Sequence, residues 1–170
     1  MGKKYLIDSN SLITPFEKYY PFDFAKRFWE QLETNIAKGN IVILDMIKSE
    51  ITKKKDELSD WMNDLTISDY IDHRNKEIIE IYRQVLEGIK NDDCYKDTAL
   101  NDWANINSAD PWLVATAKVN NYTIVSFETP NKGLNAANPS KRPKIPDIAA
   151  DFDVEVVDLF AMMRALGFKM

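Results

Sequence analysis

The sequence predicts an α/β protein organised on a mainly parallel sheet. Three observations predict it. Short apolar, β-branched runs recur along the chain, at residues 4–8, 41–44, 122–127 and 154–157. The second of them, "IVIL", is apolar throughout, as in strands covered on both faces. Between the runs lie longer segments with helical apolar spacing, and strands alternating with helices imply parallel pairing through right-handed crossovers.

The elements follow in order. Residues 4–8 are the first strand. Residues 22–38 place Ala25, Phe28, Trp29, Leu32 and Ile36 at helical spacing, and Gly39 stops that helix. The strand at 41–44 follows. A helical pattern then restarts over residues 45–65, with Asp45 as its N-cap. Residues 74–90 carry Ile78, Ile81, Tyr82, Val85 and Ile89 on one stripe. Only part of 92–108 reads as helical. Residues 108–121 form a helix capped by Asp110, with Pro111 in the first turn. Trp112, Leu113, Val114, Ala115 and Ala117 make that helix apolar nearly all round, so it is expected to be buried. The strand at 122–127 leads to a Gly/Pro/Asn-rich loop over 129–146. A last strand at 154–157 and a last helix at 158–166, closed by Gly167, complete the pattern. No repeat, low-complexity tract or linker divides residues 1–170, which read as one domain.

Composition narrows the chemistry. At 170 residues the chain can bury a core, and 45% apolar with 29% charged residues is an ordinary soluble mixture. The net charge of -5 argues against a general nucleic-acid coat, though not against a local basic groove. One cysteine allows no internal disulfide, which points to a reducing cytoplasm. No apolar run approaches the roughly 20 residues that span a bilayer, and the N-terminus reads as a strand rather than a signal peptide. A His/Cys zinc site needs about four such ligands, and only His73 and Cys94 exist. His73 reads as a solvated loop residue. Cys94 sits between acids that raise a thiol pKa, so it is no nucleophile. Carboxylates remain.

In an open parallel sheet, functional groups gather beyond the carboxyl ends of the strands. Four acids can reach that edge: Asp8 after the first strand, Glu50 in the helix after "IVIL", Asp110 at the start of the apolar helix, and Glu128 after "YTIVSF". Glu50 is flanked by Met46, Ile47 and Ile51, which places it on or beside the apolar stripe. An inward carboxylate is costly without a partner. A hard divalent cation, Mg²⁺ or Mn²⁺, suits oxygen ligands. Each acid also has a plain reading: Asp110 as a helix cap, Asp8 as a turn former with Ser9 and Asn10, Glu50 and Glu128 as surface residues.

The stretches "YLIDSNSL", "IVILDMIKSEI", "SADPWLVATA" and "YTIVSFE" resemble the PIN domain, the nuclease fold of VapC-type toxins. The resemblance spans residues 4–128, with the last strand and helix completing the pattern. It implies a three-layer α/β/α sandwich and an acidic pocket for one or two Mg²⁺ or Mn²⁺ ions. Carried over residue by residue, Asp8, Glu50 and Asp110 match the family's core acids. Asn10 matches a supporting polar residue, and Ser126 and Glu128 match the hydroxyl-x-acid of its fourth motif. That last acid is commonly Asp, so Glu128 is a departure and marks an atypical PIN-like chain. The insert between Glu50 and Asp110 is also long for a compact toxin.

The expected activity is metal-dependent hydrolysis of RNA phosphodiester bonds by a toxin of a type II toxin–antitoxin system. Its partners would be RNA and a cognate antitoxin protein. Lys132, Lys141, Arg142 and Lys144 lie in a stretch with no acid before Asp147 and are the expected phosphate contacts. Trp61, Met62, Leu65, Phe160, Met162 and Met163 exceed one core stripe, and either pack in the core or form a homodimer or partner surface. The competing reading is a catalytically inactive PIN-like module that binds RNA or a protein. A phosphatase using an acid two residues after Asp8 is disfavoured, because that residue is Asn10.

Overall fold

The computed structural model describes residues 2–65 and 70–170. It is an α/β fold in which helices flank a four-stranded, all-parallel sheet of order β2-β1-β3-β4, consistent with a three-layer α/β/α sandwich. The strands are β1 (Tyr5–Ile7), β2 (Ile41–Val42), β3 (Thr123–Val125) and β4 (Val156–Val157). Each lies within a predicted run and is shorter than it, β2 and β4 at one end only. The central strand β1 pairs Tyr5 with Ile41 on one side and with Thr123 on the other. All three of its residues are buried, as expected for a strand covered on both faces.

The chain divides into two compact units. The first holds Met1–Asp72, Thr123–Phe127 and Val157–Met170. Its helices are α1 (Asn10–Thr14), α2 (Lys26–Ala37), α3 (Asp45–Thr52), α4 (Glu57–Asp64) and α9 (Leu159–Ala165), with a π-helical turn at Pro15–Tyr19. Leu6, Ile7, Phe28, Leu32, Ile47 and Met62 are fully buried here. The Phe28 ring stacks on Tyr20 at 4.4 Å, and its edge meets Trp29 at 5.0 Å.

Several boundaries differ from the sequence expectation. The helix expected at 22–38 begins only at Lys26, because Phe24 and Ala25 donate back to the Pro21 carbonyl in a turn. The single pattern over 45–65 is two helices. Lys55 turns left-handed at φ 54°, and Asp56 then caps α4 through the Ser59 N–H at 3.0 Å. Asp45 is the first helical residue rather than the cap. Its Oδ1 accepts from its neighbour's N–H, at Met46. The segment after Asp8, for which a turn with Ser9 and Asn10 is the plainer alternative, is helical almost at once, since α1 begins at Asn10.

The second unit holds His73–Tyr122 and Glu128–Val156. Here α5 (Lys76–Asn91) packs along α7 (Asp110–Asn120), with α6 (Ala99–Trp103) and α8 (Ile145–Asp151) beside them. Leu113, Val114, Ala115 and Ala117 of α7 are buried as predicted. Trp112 is only half-buried, and its ring stacks on Tyr82 at 3.7 Å. Asp110 is again the first helical residue, with Ala109 in the cap position. The expected loop at 129–146 ends in α8, a helix with no counterpart in the sequence pattern. Pro146 hides that helix from periodicity, yet it fits the first turn, where no N–H is required.

Candidate functional site

The site starts with the turn from β1 into α1. The Asp8 N–H donates to the Val125 carbonyl at 3.0 Å, carrying the β1–β3 ladder one residue beyond the strand. The chain then turns at once, and Ser11 N–H returns to the Asp8 carbonyl at 3.0 Å. The Ser11 hydroxyl donates to the Val125 carbonyl at 3.1 Å, which pins the first turn of α1 to β3. Ser9 and Ser11 are buried, and small polar residues are what this tight junction admits.

These bonds fix the Asp8 carboxylate. Asp8 is 3% exposed, and its Oδ2 accepts from the Ser126 hydroxyl at 3.0 Å. The Ser9 hydroxyl lies 3.5 Å from Oδ1. Ser126 is itself held by its N–H, which donates to the Val157 carbonyl at 3.0 Å. A buried carboxylate is costly unless hydrogen-bonded or paired, and the Ser126 hydroxyl answers part of that cost.

Strand order gives this corner its meaning. From β1 the chain forms β2 on one side, and it later forms β3 on the other. The carboxyl ends of β1 and β3 therefore flank the topological switch point, where open parallel sheets hold their ligands. Asp8 and Ser126 are the residues that follow those two strands.

The other predicted residues fall as follows. Asn10 is the exposed first residue of α1. Glu50 is exposed on α3, whose buried face is Ile47 and Ile51, so it does not lie on the inward stripe expected for it. The stripe is rotated by about one position, and the desolvation argument for Glu50 lapses. Lys53, Lys54 and Lys55 are exposed as expected.

Asp110 and Glu128 belong to the second unit. Asp110 is half-buried at the start of α7. The Glu128 Oε2 accepts from the Ile145 N–H at 2.7 Å, and its Oε1 lies 4.0 Å from Lys144 Nζ. The carboxylate thus caps α8, where N–H groups lack helical acceptors.

The basic loop is stitched down. Asn131 donates to Asp147 Oδ2 from its backbone at 3.0 Å and from its side chain at 2.8 Å. Ser140 exchanges backbone bonds with Cys94 and Lys96. Lys132, Lys141 and Arg142 lie on this frame, and Lys144 is half-buried against Glu128.

His73 is half-buried rather than solvated, with its ring edge-on to Trp112 at 4.8 Å. A hydrogen bond to the Asp92 carboxylate, then burial and neighbouring acids, push the Cys94 thiol pKa up, as the sequence implied. Trp61, Met62, Met162 and Met163 are core residues, while Leu65 and Phe160 are partly exposed.

Sequence reasoning missed the buried Ser11, because nothing in local spacing marks a serine that bonds to a strand 114 residues away. It also missed Tyr19, which a π-helical turn presents after α1. Periodicity at 3.6 residues gives no signal for such a turn.

Fold and corner together define a class: an α/β protein with a buried, hydroxyl-held acid at the switch point of a parallel sheet. The chain belongs to the family described as Domain of unknown function (DUF4411), which it matches over residues 5–170. No curated protein and no solved structure matches it. Among the described residues, no helix is long and apolar enough to cross a membrane.

Proposed function

We propose that this protein is a metal-dependent endoribonuclease that hydrolyses RNA phosphodiester bonds with Mg²⁺ or Mn²⁺. The observation that carries the proposal is the Asp8 carboxylate, buried at the switch point and held by Ser126. Oxygen-only donors suit a hard cation, and the PIN-like motif pattern supplies the reaction class. When bound, such an ion lowers the pKa of a water and neutralises charge on the phosphate. Ser126 orients Asp8, leaving Oδ1 on the side of Ser9. The reading needs carboxylates besides Asp8, and Glu50, Asp110 and Glu128 are the acids named by the motif match. Lys132, Lys141 and Arg142 are the proposed phosphate contacts. The biological role that fits is the toxin of a type II toxin–antitoxin pair, acting in the cytoplasm and neutralised by a cognate antitoxin.

The test is cleavage of RNA by purified protein with Mn²⁺ or Mg²⁺, beside Asp8→Asn, Glu50→Gln and Asp110→Asn. Loss of cleavage in Asp8→Asn and Asp110→Asn supports the proposal. Equal cleavage by the parent and both Asp variants assigns the activity elsewhere. Growth arrest on expression, relieved by Asp8→Asn, is the corresponding test of the toxin role.

One observation favours a second reading. Glu128, the residue that departs from the PIN pattern, is engaged by Ile145 and Lys144. A carboxylate occupied as a helix cap is a weaker ion ligand, which suits a catalytically inactive PIN-like module that binds RNA or a protein. Metal titration calorimetry separates the two, since an inactive module shows no metal uptake that depends on Asp8.

A further inference from the structure

Three aromatic rings meet beside the Asp8 corner, all within the first unit. Tyr19, Phe127 and Phe160 form a triangle with centroid separations of 6.3, 6.0 and 6.0 Å, each pair tilted or edge-on. Each ring sits on a segment leaving the carboxyl edge of the sheet. Tyr19 ends the π-helical turn that follows β1 and α1. Phe127 follows Ser126 directly after β3. Phe160 lies in the first turn of α9, just after β4. Their common origin is the edge that carries Asp8.

Two features set the triangle apart from core packing. Tyr19 is 47% exposed, and Phe127 and Phe160 are only partly covered. The π-helical turn that presents Tyr19 is a rare conformation, frequent at functional sites. Tyr19 leaves about half of its surface to solvent and Phe127 and Phe160 leave part of theirs, and aromatic rings exposed in this way bind unpaired bases by stacking. The flat group found next to a phosphodiester is a nucleobase.

We infer that Tyr19, Phe127 and Phe160 form a stacking subsite for a base of a single-stranded RNA whose backbone lies at the Asp8 corner. The inference rests on the nuclease reading for the ligand's chemistry, and it names what that reading leaves open: the strand must be unpaired. A base within a duplex has both faces stacked and offers none to the rings.

The test is fluorescence anisotropy with a short single-stranded RNA and with the same strand annealed to its complement. The full-length parent is used in EDTA, and Asp8→Asn without it, so that no strand is cut. The expected result is tighter binding of the single strand, weakened on the order of tenfold by Tyr19→Ala and by Phe160→Ala, and retained by Tyr19→Phe. Equal affinity of parent and alanine variants for the single strand overturns the inference, as does a parent that binds neither strand. Alanine variants that keep RNA affinity but change sedimentation also overturn it, and mark a protein interface instead. The two proposals fail separately. Ring-dependent binding by a parent that cuts no RNA with Mn²⁺ sinks only the nuclease reading, and cleavage unaffected by the ring variants sinks only the subsite.

Discussion

The Ser126 hydroxyl donates to Asp8 Oδ2 at 3.0 Å, joining the ends of two adjacent parallel strands across 118 residues of sequence. The bond exists only because β3 lies beside β1, and it ties the buried acid of that edge to the sheet's register.

Removing the donor tests this. Ser126→Ala leaves a buried carboxylate short of a hydrogen bond, and loss of a bond to a charged group costs about 1–3 kcal/mol. Urea unfolding at neutral pH should show that loss with an unchanged m-value. Ser126→Ala as stable as the parent would mean that Ser126 does not support Asp8.

Glu128 distinguishes a cap from an ion ligand. Glu128→Ala removes the acceptor for the Ile145 N–H and should lower stability by about 1 kcal/mol. Glu128→Gln retains an acceptor oxygen and should lose less. If Glu128 only caps α8, the Gln variant also keeps parental metal uptake in calorimetry. Loss of uptake in that variant, with stability retained, assigns Glu128 to the ion.

Tyr95 gives a pH prediction. Its ring is buried, and its hydroxyl finds no hydrogen-bond partner among the described residues. Burial first, then the acids Asp147, Asp92 and Asp151, push its pKa well above the usual tyrosine range. The unfolded chain releases this proton near pH ~10, while the folded chain still holds it. Above that pH the unfolded state binds fewer protons, so stability falls as pH rises. Burial also raises Tyr70 and Tyr82, so tyrosinate absorbance should show a late step, and the part of it that belongs to Tyr95 should appear only as the chain unfolds. Tyr95→Phe should remove that part and leave neutral-pH stability equal or higher by up to about 1–2 kcal/mol. A Tyr95→Phe variant that unfolds more readily would count against the orphan hydroxyl.

The basic loop makes a salt-dependence prediction. Lys141 and Arg142 are exposed on a segment fixed by Asn131 and Asp147. Reversing both charges, as Lys141→Glu with Arg142→Glu, should weaken RNA binding. It should also lower the slope of log affinity against log salt, by about 0.7 for each single-strand phosphate that the protein no longer neutralises. Unchanged affinity and slope would leave the loop a solvated surface.

Much of this architecture is local in origin and therefore readable from the chain. The run "IVIL" marks a covered strand because both of its faces are apolar, and α7 is legible because apolar residues surround it. Asp8 stands out as an acid at the end of a buried strand. Glu50 departs from its expected place by one step of helical rotation. Its burial depends on which face of α3 turns inward, and Met46 beside Ile47 gives an ambiguous stripe over eight residues. The helix α8 is illegible in sequence because a prolyl residue and two alanines carry little periodicity, while its cap arrives from Glu128, 17 residues upstream.

The sequence by itself determined the alternation of strands and helices, because apolar periodicity is a property of neighbouring residues. It also determined that acids follow the strand ends. Only the tertiary structure decided that β1 lies between β2 and β3, that Ser126 therefore meets Asp8, that Glu128 caps α8, and that Tyr19, Phe127 and Phe160 share a corner. Those relationships depend on strand order and register, which arise when distant segments bury their apolar faces against one another.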